Sequence, residues 1–165
     1  MLDCAGNSLT ELDLSNNAAL TWLYCELNWL TTLDVSNNIG LEGVICYRNE
    51  LTTLNVMSNI RLIVLVLDHN RLETLDVSNN KLLEYLSCRF NVLGFPANVI
   101  GWDLSPMLIL SDTFIFFPQR VPRGEDITSA FTDPAFLRVV RETLRKGENE
   151  PIYERLGSQK ATVGI

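Results

Sequence analysis

The sequence predicts a solenoid: a mostly β chain, coiled so that a parallel β-sheet forms one, concave, face, followed by a small C-terminal α-helical segment. Three observations carry this. Asparagine recurs at positions 7, 28, 49, 70 and 91, a period of 21 residues. Cysteine falls on the same ruler at 4, 25, 46 and 88, with Leu67 in the one gap. Leucine columns run through Leu12, Leu33, Leu54 and Leu75, and through Leu30, Leu51, Leu72 and Leu93. A fixed period of this length means that each unit packs mainly on its neighbours.

Each unit then divides into a strand and two bends. Around Leu23-Tyr24-Cys25 the side chains alternate inward and outward, as a strand requires. Inward residues pack beneath their equivalents in the next coil, which works only if every coil has the same length. Asn28, directly after the strand, can satisfy buried backbone groups through its amide, and stacked copies make a ladder. The ladder Asn7, Asn28, Asn49, Asn70 and Asn91 is expected to be buried throughout. A second bend uses Ser36-Asn37-Asn38, with Asn17, Asn59 and Asn80 in register. Between the bends Leu33-Asp34-Val35 alternates again, so short β rather than helix is expected on the side opposite the sheet.

One unit reads LTWLYCELNWLTTLDVSNNIG, and the next two follow the same pattern. These units resemble leucine-rich repeats, with the pattern L-x-x-L-x-L/C-x-x-N-x-L. The trailing LDVSNN resembles the short bacterial repeats of internalin-like and other surface proteins. The resemblance implies a leucine-rich-repeat solenoid, a right-handed superhelix, over residues 1–95, about 4.5 repeats of 21 residues. It also implies a bacterial protein that is secreted or held at the cell surface, with an adhesive, protein-binding role.

Residues 96–130 form an irregular cap or linker. Gly101, Pro106, Pro118, Pro122 and Gly124 disfavour helix there, and a strand at 113–118, around Phe114-Ile115-Phe116-Phe117, is expected to cover the last coil. The string FIFFPQ resembles the segment that closes repeat arrays in clostridial-type relatives. In 131–165, Asp133-Pro134 reads as an N-cap with Pro at the first helical position. Phe136, Val140 and Leu144 give one apolar face, and Gly147 a stop. A shorter helical turn follows Pro151, using Ile152 and Leu156. This segment resembles the helical N-terminal cap of a following repeat domain; a generic helical appendage is the alternative.

Composition limits the function. Apolar residues make up 47% of the 165, no apolar run reaches the ~20 residues of a membrane helix, and the start MLDCAGNSL lacks the features of a signal peptide. It enters a repeat part-way through, which reads as the cut edge of a larger protein. The net charge of −7 and the scatter of basic residues argue against nucleic acid. Cys4, Cys25, Cys46 and Cys88 replace inward leucines about 4.8 Å apart with parallel side chains. That direction suits a disulfide poorly, so a reduced, buried ladder is expected. No Cys-x-x-Cys pair favours zinc, and no cofactor or metal is expected.

Candidate binding residues are the outward strand positions. The columns are Trp22, Gly43, Val64 and Tyr85; Tyr24, Ile45, Val66 and Ser87; and Glu26, Tyr47, Asp68 and Arg89. Leu27, Arg48, His69 and Phe90 follow the strands. A surface this rich in apolar and aromatic residues points to a partner, with Trp22, Tyr24, Tyr47 and Tyr85 as anchors and Glu26, Asp68 and Arg89 as polar contacts. Cover by the appendage or by another copy is the alternative. Asp68, His69 and Ser87 invite a catalytic-triad reading, but neighbouring residues on a strand diverge, and no oxyanion hole is evident. The column Asp13, Asp34, Asn55 and Asp76 is read as turn caps rather than a calcium site. The expected function is therefore non-enzymatic binding of a protein or glycan through the concave face, with a structural spacer as the alternative. An open first coil and the apolar face of 136–144 also predict self-association, which light scattering against concentration would test.

Overall fold

The computed structural model describes residues 1–119, and the predicted helical segment lies outside the described residues. The described residues hold eight short strands: β1 Leu2–Asp3, β2 Trp22–Tyr24, β3 Gly43–Ile45, β4 Val64–Val66, β5 Leu75–Asp76, β6 Tyr85–Ser87, β7 Val99–Ile100 and β8 Phe114–Ile115. Strands β1, β2, β3, β4, β6 and β8 form one parallel sheet in that order. Its register pairs Leu2 with Leu23, Leu23 with Val44, Val44 with Leu65 and Leu65 with Leu86. The fold is a leucine-rich-repeat solenoid.

The core follows the inward columns. Leu23, Val44, Leu65 and Leu86 are fully buried, as are Leu30, Leu51, Leu72 and Leu93. Cys25, Cys46 and Cys88 are buried with Leu67, and all four thiols are free. A hydrogen bond with Cys25 and then burial raise the Cys46 pKa well above the ordinary thiol value. Burial pushes the Cys88 thiol up as well. Cys4, on the first coil, is only partly buried, and burial raises its pKa.

The asparagine ladder shows why the 21-residue period is strict. The Asn49 Nδ2 donates to the Cys25 carbonyl of the preceding coil at 3.0 Å and to the Cys46 carbonyl of its own coil at 3.2 Å. Its Oδ1 accepts from the Leu30 N–H of the preceding coil at 3.0 Å. Asn28, Asn70 and Asn91 repeat this arrangement. Asn7 departs from expectation: it is exposed and bonds only to its own loop, through Cys4 and Ala5. Its Oδ1 has no partner among the described residues, because the bonds that bury a rung run to a preceding coil.

The opposite side is less regular than the sequence pattern predicts. Leu33 and Val35 are buried, but among the described residues the only strand pair there is β5 with β7. Elsewhere a second amide ladder links the coils: Asn38 donates to the Leu14 and Asn17 carbonyls, Asn59 to Val35 and Asn38, and Asn80 to Val56 and Asn59. These amide bonds tie each coil to the one before it at the second bend, next to the alternating segment rather than along it. The Asp13, Asp34, Asn55 and Asp76 side chains each accept the backbone N–H two residues on, at 2.9–3.0 Å, which makes them turn caps.

After Asn91 the period lengthens. Residues 96–119 form an irregular last coil with short 3-10 turns at Pro96–Asn98 and Trp102–Leu104. Gly101 has φ 77°, and an added Cβ would lie 2.4 Å from the Ser78 backbone, so both the conformation and the close approach require glycine. Strand β8 pairs with β6, matching Leu86 to Phe114, and is shorter than the predicted 113–118. Phe114 and Phe116 take the inward positions, and Trp102 packs on Phe114 with ring centroids 5.1 Å apart.

Candidate functional site

Side chains on the solvent face of the sheet are ordered by the parallel register, which stacks each column one coil above the next. Trp22 lies flat against the neighbouring coil. A Cβ added at Gly43 would stand 2.2 Å from its indole ring, so glycine makes room for it. Tyr24 stacks beside Trp22, with centroids 6.1 Å apart and 17° between planes. Both rings are half-buried, as are Ile45, Val64, Val66 and Tyr47, while Tyr85 is 37% exposed. An apolar aromatic strip is therefore continuous from β2 to β6.

The polar column is more engaged than its outward position suggests. Asp68 is buried. Its Oδ1 accepts from the Ser87 hydroxyl at 2.6 Å and from the Arg89 N–H at 2.8 Å. Its Oδ2 accepts from Arg89 Nε at 3.0 Å and Nη2 at 2.8 Å. Asp68 is thus the organiser of Arg89 rather than a free ligand contact. Ser87 is 1% exposed and its hydroxyl donates to the Asp68 carboxylate rather than to His69, so the three residues do not line up as nucleophile, base and orienting acid. His69 stacks on Phe90 at 4.2 Å and 15°. Glu26 is half-buried, and its Oε2 has no hydrogen-bond partner among the described residues.

Immediately before each ladder asparagine the backbone turns left-handed. Gly6 does so at no steric cost, but Leu27, Arg48, His69 and Phe90 do the same at φ 54–58°. The columns were evident in the sequence, but their conformation was not, since Gly6 alone signals it. Together with Tyr47, Val66, Asp68, Tyr85, Ser87 and Arg89, three of these residues, Leu27, Arg48 and His69, line an open depression of about 470 Å³.

Two features escaped the sequence reading. Trp29 is 59% exposed at a position where other coils carry Ser8, Glu50, Arg71 and Val92. Its column has no repeated residue type, which is the only sequence signal of a surface position. Gln119 is the sixth rung of the ladder. Its Nε2 donates to the Cys88 carbonyl at 2.8 Å and to the Phe116 carbonyl, and its Oε1 accepts from the Asn91 N–H. It stands 28 residues after Asn91, so the 21-residue ruler misses it. Among the described residues no group of three His, Cys, Asp or Glu side chains could hold a metal ion, and no helix is long and apolar enough to cross a membrane.

No family model matches the chain, and no curated protein matches it. Among solved structures it is similar to the functional domain of InlJ from Listeria monocytogenes, which includes a cysteine ladder. The two are 25% identical, with a TM-score of 0.49, over 77% of this chain and 36% of the other. The chain therefore spans about a third of the length of that neighbour. By its own geometry, the described part of the chain is a leucine-rich-repeat solenoid held by asparagine and cysteine ladders.

Proposed function

We propose that this chain is a non-enzymatic binding module of a bacterial surface or secreted leucine-rich-repeat protein, and that it holds a protein or glycan against the solvent face of its sheet. The observation that carries this is the aromatic strip: Trp22 stacked with Tyr24, continued by Tyr47 and Tyr85 over Ile45, Val64 and Val66. Large rings left partly open on a rigid sheet are the residue types and placement of interface anchors. Left-handed backbone at non-glycine residues on the rim adds support, because strain of this kind is retained where the side chain is needed.

The test is a double variant, Trp22→Ala with Tyr47→Ala, compared with the parent protein on protein and glycan arrays. Ligands of the parent should lose about 2 kcal/mol or more of binding free energy, with the circular dichroism spectrum unchanged. A ligand whose affinity survives both changes binds elsewhere and refutes the sheet-face reading for that ligand.

A further inference from the structure

The open depression beside β4 and β6 has a charge imbalance that says what it would take. Among the described residues Asp68 is the one carboxylate lining it, and its oxygens are engaged by Ser87 and Arg89. That pairing neutralises one of the two guanidinium groups there and fixes its plane. Arg89 Nη1 has no partner among the described residues. The second guanidinium, Arg48, is exposed and forms no ion pair among them. Glu50, two residues from Arg48, is occupied by Arg71. Glu26 precedes Tyr47 by one coil and does not line the depression.

The apolar part of the lining sets the other half of the specificity. Val66 lies on the floor, with Tyr47 and Tyr85 on the neighbouring coils. A branched aliphatic floor packs an aliphatic or aromatic side chain. The stacked pair Trp22 with Tyr24, a flat platform of the kind a sugar ring takes, lies outside the depression; the rings inside it are Tyr47, Tyr85 and His69, and one face of His69 is already stacked on Phe90. Planar guanidinium groups match carboxylates in two-bond geometry.

We propose that this depression, part of the binding face proposed above, receives a protein segment that sets an Asp or Glu carboxylate on Arg48 and Arg89 and an adjacent apolar side chain on Val66 between Tyr47 and Tyr85. The partner is thus an acidic-apolar peptide stretch rather than a basic or purely polar one. Arg48 completes the site, and Arg89 is its pre-set half.

The probe is a phage-displayed random peptide library panned on the whole protein, with Arg48→Glu as the counter-variant. Arg48 is exposed, and an Arg48→Gln variant with an unchanged melting curve checks that substitution there leaves the fold intact. Enriched peptides should carry Asp or Glu next to Leu, Ile, Val or an aromatic residue. Synthesised, they should bind Arg48→Glu about tenfold or more weakly, the scale of one charge-assisted hydrogen bond, and should weaken with added salt. Changing the acid to its amide should give a similar loss. Enriched peptides without acidic residues, no enrichment at all, or equal affinity for Arg48→Glu would each overturn the proposal. So would competition in which a uronic-acid oligosaccharide binds at Arg48 and no peptide does. Peptides that need Tyr47 but ignore Arg48 would sink the charge assignment and leave the sheet face standing as the binding surface. Peptides that bind the Trp22→Ala, Tyr47→Ala variant at full strength would instead sink the face itself.

Discussion

Replacing Asn49 with Ala removes one rung of the ladder, and the structure says which group suffers. The rung has three bonds, but its two acceptor carbonyls are shared. The Cys25 carbonyl keeps a bond from Asn28 at 3.1 Å, and the Cys46 carbonyl keeps one from Asn70 at 3.0 Å. The Leu30 N–H has Asn49 Oδ1 as its acceptor, and Leu30 is fully buried. One buried donor is therefore orphaned, which costs on the order of 1–3 kcal/mol. Asn7→Ala is the internal control, because Asn7 is exposed and its Oδ1 holds no N–H; its cost should stay within about 0.5 kcal/mol. Asn49→Asp should be worse than Ala. It keeps the acceptor for Leu30 but turns a negative oxygen toward two carbonyls in a buried site. Urea unfolding followed by circular dichroism measures all three as shifts in midpoint at constant slope. An Asn49→Ala midpoint equal to that of Asn7→Ala, or an Asn49→Asp variant more stable than Asn49→Ala, would refute the ladder account.

Other expectations follow from the packing and the turns. Cys4 should react first with a thiol reagent in the folded protein, whereas Cys25, Cys46 and Cys88 should wait for denaturant; intact mass after a labelling pulse reads the order, and early loss of a buried thiol would contradict the packing. Gly43→Val should lift the Trp22 indole from the sheet, shifting tryptophan emission to the red relative to Gly40→Val, since a Cβ at Gly40 meets only ordinary contacts. An unshifted spectrum would mean that Trp22 does not lie there. Asp13, Asp34 and Asp76 have pKa values below the usual carboxylate value because they accept hydrogen bonds from Ser15, Ser36 and Ser78. A depressed folded pKa gives stability that is present above about pH 4 and lost as pH falls through the lower folded value. Changing all three to Asn, as nature has at Asn55, should flatten that acid-side loss in a pH series of melting temperatures, and an unchanged acid slope would count against the caps.

Most of the fold was legible because one constraint acts on every coil. A ladder residue must reach both its own coil and the preceding one, so length, strand register and inward columns are fixed together, and any one predicts the others. Legibility failed where the constraint relaxes. On the first coil, Asn7 matches the pattern but lacks the geometry that buries it. On the last, Gln119 donates as a rung does, to the Cys88 and Phe116 carbonyls, but its oxygen takes the Asn91 N–H instead of one two residues further on, and neither spacing nor residue type follows the pattern. Its extra methylene lets it serve a longer coil. The side opposite the sheet read as strand by alternation alone, yet among the described residues the coils there are joined chiefly by the Asn38, Asn59 and Asn80 amides at the bend. Alternation reports which side chains point inward, not which partner satisfies the backbone.

The candidate site was legible in its columns and illegible in its chemistry, and the left-handed residues explain the difference. Each ladder asparagine can reach back only because the residue before it reverses the chain. Glycine would do this at least strain, as Gly6 does on the first coil. Leu27, Arg48, His69 and Phe90 each accept about 1–2 kcal/mol of steric cost to put a side chain there. Those side chains form the rim of the sheet face, and two of them, His69 and Phe90, stack on each other. The ladder that holds the coils together and the rim that would meet a partner are thus adjacent links of one chain reversal. A coil that slipped by one residue would lose its buried asparagine bonds and carry its rim residue off the face. The regularity of the repeat therefore does more than fill a core. It fixes the spacing of rim side chains, so that Arg48 stands at a set offset from the Asp68-held Arg89, and a partner can be read by residues that the repeat itself leaves free to vary.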